Sequence, residues 1–281
     1  MQLFHTIQDI RAYVHAQKAL GRTIALVPTM GALHEGHLTL IRTARASADI
    51  VIVSIFVNPT QFGPNEDYDA YPRTLQKDCA HAEKAGASAV FAPSANEMYP
   101  DGYATFVTVS GITDLLCGAQ RPGHFRGVAT VVTKLFNITQ PDRAFFGQKD
   151  AQQVLVIRRF TADLNLPVEI VMVPIVRDAN GLALSSRNQY LSPEEKTAAL
   201  VLSRSLKLAE EAVRGGEVRT DILTALVTRT IEEEPLAKID YVSIYAHPSL
   251  DAIRVITDSA LLAIAVRIGK TRLIDNTILE V

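Results

Sequence analysis

Several features that would define a class of protein are missing from this sequence. No apolar run approaches the roughly 18 residues of a membrane-spanning helix, and the first residues lack the basic and apolar regions of a signal peptide. The two cysteines, Cys79 and Cys117, form neither a CxxC pair nor a disulfide framework. We therefore expect a cytoplasmic protein with reduced thiols and no membrane partner.

An excess of charge of either sign is also missing. The 281 residues include 28 basic and 30 acidic side chains, which gives a net charge of −2. Proteins that bind nucleic acid usually carry a basic patch, so we expect no nucleic-acid partner. The argument does not extend to nucleotides, because a small basic cluster is enough to bind a phosphate. With 48% hydrophobic residues, the composition is that of an ordinary globular protein.

The first two thirds of the chain alternate between strand-like and helix-like segments. The run at 50–57 is almost continuously apolar, which is typical of a parallel strand covered on both faces. The alternation predicts an α/β fold, a Rossmann-like doubly wound parallel sheet. The predicted strands are 23–28, 50–57, 87–91, 105–109, 143–146 and 168–173; the helices are 75–84, 128–138 and 151–164, with others beginning after Thr6 and near Gly36.

The order of elements changes in the last third of the chain. The predicted elements there are two amphipathic helices, 193–214 and 219–233, followed by two strands, 241–246 and 261–268. Helices followed by strands predict a smaller C-terminal α+β domain. We therefore place one domain at 1–176 and the other at 177–281, with the hinge near 177–190.

The usual phosphate-binding motifs are absent: the chain contains neither G-x-x-x-x-G-K-[ST] nor G-x-G-x-x-G. The segment 28–37, PTMGALHEGH, instead connects the first predicted strand to a helix. Backbone N–H groups at the start of a helix favour phosphate, and Gly31 and Gly36 allow a ligand to approach the backbone. His34 and His37 can face the same phosphate from this junction.

Two other interpretations of His34 and His37 remain open. Glu35 beside them suggests a metal site, but the zinc-protease pattern is H-E-x-x-H, this sequence has H-E-G-H, and no third ligand is indicated. Alternatively, local hydrogen bonds satisfy both rings and their role is structural.

Two later segments combine cationic and hydroxyl side chains. Gly147-Gln148-Lys149-Asp150 lies at a strand-to-helix junction, where Lys149 could neutralise phosphate charge. Asp150 could bind a ribose or simply cap the helix. Ser185-Ser186-Arg187, at the predicted hinge, suits a triphosphate, although a surface turn is the alternative.

Other polar residues allow less definite predictions. Asn58 and Gln61 follow the second predicted strand, where their amides could bind the hydroxyls and carboxylate of a ligand, or where Asn58 and Pro59 could simply set a turn. Asp78 could help to hold magnesium, but we expect an exposed helical carboxylate. A basic cluster of Arg121, His124 and Arg126 could shape the entrance of a site or an intersubunit contact.

A set of motifs together resembles the pantothenate synthetase family. H-x-G-H at His34–His37 alone is similar to the signature of the nucleotidylyltransferase superfamily, which includes the class I aminoacyl-tRNA synthetases. The remaining motifs make the resemblance specific and occur in the family's order. They are 28–37, FVNPTQFG at 56–63, YPRT at 71–74, PGHFRGV at 122–128, GQKD at 147–150 and LSSRN at 184–188.

The resemblance implies roles for individual residues. It makes His34, His37, Lys149 and Arg187 catalytic, Gln61 and Gln153 ligands of pantoate, and Gln61 also a ligand of β-alanine. Val176 would touch adenine through its backbone. The implied ATP-binding residues are Met30, Gly31, Ala32, Leu33, His34, Glu35, Gly36, His37, Gly147, Gln148, Lys149, Asp150, Val176, Leu184, Ser185, Ser186 and Arg187. Arg187 stands where many relatives of the superfamily have lysine in a mobile K-M-S-K-S loop.

The resemblance also implies a reaction: ATP-dependent condensation of (R)-pantoate with β-alanine to pantothenate, AMP and pyrophosphate, through a pantoyl adenylate. Mg²⁺ would accompany ATP, with its protein ligands unknown, and the enzyme would be a homodimer. The alternatives are a different H-x-G-H nucleotidylyltransferase acting on another acceptor, a zinc-dependent hydrolase and a noncatalytic nucleotide sensor.

Overall fold

The computed structural model describes residues 1–64 and 66–281, which divide into two compact units. The first unit comprises Met1–Gly147 and Gln152–Pro174, and the second comprises Gln148–Ala151 and Ile175–Val281. The predicted boundary after residue 176 instead assigns 148–151 and 175–176 to the first domain. The roles given to those two domains stay a prediction.

The first unit is built on a sheet of six parallel strands in the order β1-β4-β3-β2-β5-β6. Its strands are β1 (Gln2–Phe4), β2 (Ile24–Thr29), β3 (Ile50–Ile55), β4 (Ala89–Phe91), β5 (Arg143–Gly147) and β6 (Glu169–Val173). This sheet confirms the predicted doubly wound α/β class. The sequence reading missed the edge strand β1.

The strand predicted at 105–109 is wrong. The segment pairs with no strand, and the backbone N–H of Val107 donates instead to the hydroxyl of Thr130 at 3.0 Å. Val107 and Val109 still pack against the core, which explains why their spacing resembled that of a strand.

Helices cover both faces of the parallel sheet, as the apolar run in β3 predicted. Ile24 and Leu26 of β2 pack into one apolar layer, whereas Ala25 and Val27 pack into the other. The helices of this unit are α1 (Ile7–Ala19), α2 (Glu35–Arg45), α3 (Leu75–Ala85), α4 (Ala95–Met98), α5 (Leu116–Gln120), α6 (His124–Thr139) and α7 (Ala151–Asp163). Single 3-10 turns occur at Pro59–Gln61, Gln148–Asp150 and Ser186–Tyr190, the last two being in the second unit.

The second unit packs two helices on a three-stranded antiparallel sheet of order β7-β8-β9. Its elements are α8 (Pro193–Arg214), α9 (Thr220–Glu232), β7 (Ala237–Ala246), β8 (Ser259–Ile268) and β9 (Thr271–Glu280). Ser192 begins α8 with a capping box, because its hydroxyl accepts the N–H of Glu195 at 3.1 Å and Glu195 accepts that of Ser192 at 2.9 Å. The predicted α+β fold is confirmed, with β9 as an additional strand.

Candidate active site

The candidate site of the first unit lies where neighbouring parallel strands end. β2 leads into the loop 30–34 and then into α2, and β3 leads into the turn Pro59–Gln61. Ligands of open α/β sheets bind beyond the carboxyl ends of such strands. The structure therefore brings the histidine segment and the Asn58–Gln61 segment to the same edge of the sheet.

His34 and His37 are both part of the N-terminus of α2. His34 is the N-cap, and its Nδ1 accepts the backbone N–H of Gly36 at 3.2 Å. Nδ1 of His37 reaches back to accept the N–H of His34 at 3.3 Å, and the two ring centroids are 4.1 Å apart. Since each Nδ1 is an acceptor, the proton of each neutral imidazole belongs on Nε2. The local hydrogen bonds thus fix the tautomers and make each Nε2–H a donor.

The zinc interpretation of His34 and His37 requires further metal ligands beside the two rings. Among residues 1–64 and 66–281, no group of three or more histidine, cysteine, aspartate or glutamate side chains is placed to hold a metal ion. A protein zinc site usually takes at least three such ligands. The described residues therefore give the zinc interpretation of His34 and His37 no support.

The loop before the histidines is held by Asp78 of α3. The carboxylate accepts the backbone N–H of Ala32 at 3.0 Å and that of Leu33 at 2.8 Å, while Gly31 and Ala32 have positive φ angles of 84° and 50°. Asp78 is 1% exposed, so the expectation of an exposed carboxylate is wrong. Its two oxygens accept backbone donors, so the carboxylate braces the loop, and its suggested part in holding magnesium stays a prediction. Sequence reading had no signal for these contacts between distant segments.

Asn58 holds the turn that carries Gln61, and its suggested contact with a ligand stays a prediction. Its side chain is buried, with the residue 1% exposed, and its Oδ1 accepts hydrogen bonds from the Thr60 hydroxyl and the Tyr99 hydroxyl, both at 2.9 Å. Its Nδ2 donates to Oε1 of Gln61 at 3.0 Å and to the carbonyl of Gly127 at 3.2 Å. Asn58 therefore sets the predicted turn, and its hydrogen bonds orient Gln61.

The side-chain amide of Gln61 has a defined direction because Asn58 donates to its oxygen. Its Nε2 lies 3.3 Å from Sδ of Met30, a weak acceptor. Gln61 therefore presents an N–H₂ group beside the first residue of the histidine loop. Such a group suits the carboxylate or hydroxyl oxygens of a ligand.

The backbone of Gln61 is held by two members of the predicted basic cluster. Its carbonyl accepts Nδ1–H of His124 at 2.9 Å and an Nη2–H of Arg121 at 3.4 Å. Arg121 also pairs with the carboxylate of Glu66, with Nε 2.7 Å from Oε1. Partial burial alone would raise the pKa of Glu66, but the hydrogen bond and charge of Arg121, with smaller contributions from Gly63 and His124, lower it overall.

Arg126 does not join that network. Its guanidinium lies over the ring of Phe106, 3.9 Å from the centroid. The role suggested for the cluster at an entrance or an intersubunit contact stays a prediction. Gln153, the second predicted pantoate ligand, lies on α7 of the same unit and is partly exposed.

The cationic segments belong to the second unit. Nζ of Lys149 lies 3.2 Å from the carboxylate of Asp150, within the turn Gln148–Asp150. Ser185 caps the turn Ser186–Tyr190 by accepting the N–H of Arg187 at 3.2 Å. The carbonyl of Val176 accepts the N–H of Leu184 at 2.9 Å. Each of these segments is therefore held by local hydrogen bonds.

A doubly wound parallel sheet in which β2 leads into the H-x-G-H helix start of α2 defines a Rossmann-like α/β protein. The sequence profile of the pantoate-beta-alanine ligase family matches residues 2–278. The chain belongs to this family. It is an ATP-dependent, amide-forming ligase that makes pantothenate, as the motifs predicted.

Individual members of the family are similar to this chain over nearly its whole length. The pantothenate synthetase of Pelotomaculum thermopropionicum is 60% identical over 99% of both chains. The crystal structure of pantothenate synthetase from Thermus thermophilus matches with a TM-score of 0.94 at 45% identity, over 99% of both chains. The pantoate-beta-alanine ligase from Francisella tularensis, solved with beta-gamma ATP and beta-alanine, matches with a TM-score of 0.80 at 35% identity, over 99% of this chain and 97% of that one.

No helix among the described residues is long and apolar enough to cross a membrane.

Proposed function

We propose that the ligase works through a pantoyl adenylate. In the first step a carboxylate oxygen of pantoate attacks the α-phosphorus of ATP, and the bond from that phosphorus to the departing pyrophosphate breaks. In the second step the neutral amine of β-alanine attacks the activated carbonyl. The amide bond forms, the amine loses a proton, and AMP leaves. No covalent enzyme intermediate is needed, so positioning supplies much of the rate.

The observation that carries the proposal is the pair of backbone hydrogen bonds that the rings of His34 and His37 accept. Because the Nδ1 atoms of His34 and His37 accept backbone N–H groups, each neutral ring offers an Nε2–H donor. These donors are fixed before substrate arrives and sit at a helix N-terminus, where negative charge is favoured. They suit the charge that develops on the α-phosphate during displacement.

The amide of Gln61 is proposed to bind pantoate and to lie close to β-alanine. Its Nε2 is directed by the hydrogen bond that its Oε1 receives from Asn58. Gln153 is proposed as the second ligand of pantoate. Both amides can donate to the carboxylate and hydroxyl oxygens of this acceptor without adding the positive charge that a phosphorylated acceptor would require.

ATP is proposed to bind to the residues that the motifs imply. They are Met30, Gly31, Ala32, Leu33, His34, Glu35, Gly36, His37, Gly147, Gln148, Lys149, Asp150, Val176, Leu184, Ser185, Ser186 and Arg187. Lys149 and Arg187 would neutralise the triphosphate and the departing pyrophosphate. The beta-gamma ATP and beta-alanine in the Francisella tularensis relative support the same two ligands here.

Mg²⁺ is proposed to enter with ATP. The described residues contain no cluster of three carboxylate, histidine or cysteine side chains that could cage an ion. Magnesium in ATP-dependent enzymes is commonly held by phosphate oxygens and water with few protein ligands, so we assign it none. A homodimer and a cytoplasmic location complete the proposal, and both rest on the sequence.

The test is pyrophosphate release from ATP and Mg²⁺ with pantoate, with and without β-alanine. We expect a stoichiometric burst with pantoate alone and turnover when β-alanine is added. His37→Ala should lower the rate about 10²–10³-fold. His37→Asn should lose as much activity but keep more stability, because the Asn side-chain oxygen can still accept the N–H of His34.

His15→Ala is the matched control, since His15 is exposed on α1. It should retain wild-type activity. Release that does not depend on pantoate would reject the adenylate and point to another acceptor. Full activity in both His37 variants would reject only the role given to His37.

A further inference from the structure

β9 carries two neighbouring polar side chains that are buried. Asp275 is 2% exposed and Asn276 is 4% exposed, and the strand is otherwise anchored by apolar residues such as Leu273 and Leu279. Aspartate and asparagine are depleted in strands, and burying them is costly unless their polar atoms are satisfied. Their presence therefore calls for partners that compensate this cost.

The partners of Asn276 lie in the turn that carries Lys149. Its Nδ2 donates to the carbonyl oxygens of Gln148 and Lys149, both at 3.0 Å. Its Oδ1 accepts from Nε2 of Gln148 at 3.4 Å. One side chain thus fixes two successive peptide groups in a turn of only three residues.

The partner of Asp275 is Arg177, which directly follows Val176, a residue proposed to bind ATP. The carboxylate of Asp275 makes a paired contact with Arg177, with Oδ2 2.6 Å from Nη1 and Oδ1 3.0 Å from Nη2. Nη1 of Arg177 also donates to the carbonyl of Gly181 at 3.2 Å. The carboxylate further accepts the backbone N–H of Asn276 at 2.8 Å, which joins the two side chains.

We infer that Asn276 is a positioning residue for Lys149, with Asp275 beside it holding the segment that begins at Arg177. The inference rests on the proposed role of Lys149 in neutralising the triphosphate. A lysine side chain is long and flexible, so it does little to fix its own ammonium group. The ammonium is therefore better positioned when the backbone from which the side chain extends is held in place. Asn276 supplies that fixation from a strand of the C-terminal sheet.

The test uses two substitutions of Asn276. In Asn276→Asp a carboxylate oxygen faces the two carbonyl oxygens in place of the amide donor, with little change in volume. In Asn276→Leu all three hydrogen bonds are lost without an added charge, so this variant serves if the first fails to fold. We expect kcat/KM for ATP to fall about 10–100-fold in both, with KM for pantoate unchanged.

Thr277→Val is the matched control in the same strand. It removes the hydroxyl that donates to Glu210 at 2.6 Å but leaves the turn Gln148–Asp150 untouched. We expect its kcat/KM for ATP to stay within about twofold of wild type even where its melting temperature falls. An equal loss of activity in Thr277→Val would overturn the inference, since strand stability alone would explain the effect.

A double-mutant cycle with Lys149→Ala separates the inference from the function on which it rests. If Asn276 acts through Lys149, Asn276→Leu should lower kcat/KM for ATP by less than about threefold in the Lys149→Ala background. The positioning role is wrong if Asn276→Leu lowers kcat/KM for ATP by the same factor in an impaired Lys149→Ala enzyme as it does in wild type. It is also wrong if Asn276→Leu leaves kcat/KM for ATP unchanged in the wild-type background. Wild-type activity in Lys149→Ala would instead reject the proposed role of Lys149.

Discussion

The carboxylate of Asp78 accepts the backbone N–H of Leu33 at 2.8 Å, across 45 positions of sequence. Asn in its place would turn an N–H₂ group toward one of the two backbone donors of the loop. We therefore expect Asp78→Asn to lower the free energy of unfolding by about 1–3 kcal/mol. Because that loop leads into His34, pyrophosphate release should also slow. Urea unfolding and the release assay measure the two effects.

Thr74→Val is the control for Asp78. It removes the hydroxyl that donates to Oδ2 at 3.1 Å and leaves both backbone donors in place. We expect a stability loss of about 1 kcal/mol or less and nearly normal activity. Normal activity in Asp78→Asn itself would show that the loop keeps its conformation without the carboxylate.

Gly127 is required by the close approach of α6 to the turn that carries Gln61. A Cβ atom at this position would lie 2.3 Å from the carbonyl oxygen of Thr60 and 2.6 Å from the backbone nitrogen of Gln61. Gly127→Ala must therefore displace the turn, at a cost of about 1–3 kcal/mol in unfolding free energy. We expect KM for pantoate to rise, because Gln61 moves with the turn.

Gly63→Ala tests whether that effect is steric. The nearest atom to a Cβ there belongs to Glu66 at 3.7 Å, which is ordinary contact. This variant should bind pantoate as the wild type does. Equal pantoate KM values in the Gly127→Ala enzyme and the wild type would show that the turn does not position the ligand.

The sequence was sufficient to predict those parts of the molecule that depend on local pattern. The apolar run of β3 predicted a strand covered on both faces, and the amphipathic pattern at 193–214 predicted α8. The segment 105–109 contains β-branched residues typical of strands, yet Val107 gives its N–H to a side chain. β9 was missed in part because it contains Asp275 and Asn276, which are uncommon in strands.

The motifs also located His34, His37 and Gln61 but not the residues that hold them. Asp78 and Asn276 act on segments 45 and 127 positions away, and no spacing rule connects them to those segments. Asn58 shows a second limit of the sequence. It lies within a recognisable motif, but its burial and its hydrogen bonds could be known only from the folded chain.

The pair Glu66–Arg121 should make stability depend on pH in the acid range. Arg121 holds the pKa of Glu66 below its ordinary value of 4.5 in the folded protein. A folded-state pKa that is lowered contributes stability above the unfolded value and loses it as pH falls through the folded value. We expect the difference in unfolding free energy between wild type and Glu66→Gln to be constant above about pH 5.5 and to shrink below pH 4.5.

Arg121→Met supplies the control for this pH dependence, because it removes the guanidinium that contacts both oxygens of Glu66. In the Arg121→Met background, adding Glu66→Gln should change the free energy of unfolding by less than it does in wild type, and with a weaker dependence on pH. A wild-type advantage over Glu66→Gln that stays unchanged down to about pH 3 would contradict the assignment of the lowered pKa to Arg121.

The ion pair Arg177–Asp275 gives the sharpest prediction on stability. The side chain of Asp275 is 1% exposed, so Arg177→Met would leave a buried carboxylate without its cation, at a cost of about 3 kcal/mol in unfolding free energy. Adding Asp275→Asn removes the charge and keeps an oxygen for the N–H of Asn276. The double variant should therefore be more stable than Arg177→Met alone. If the second substitution instead lowers stability further, the carboxylate is compensated by groups other than Arg177, and the paired contact is not what stabilises the segment.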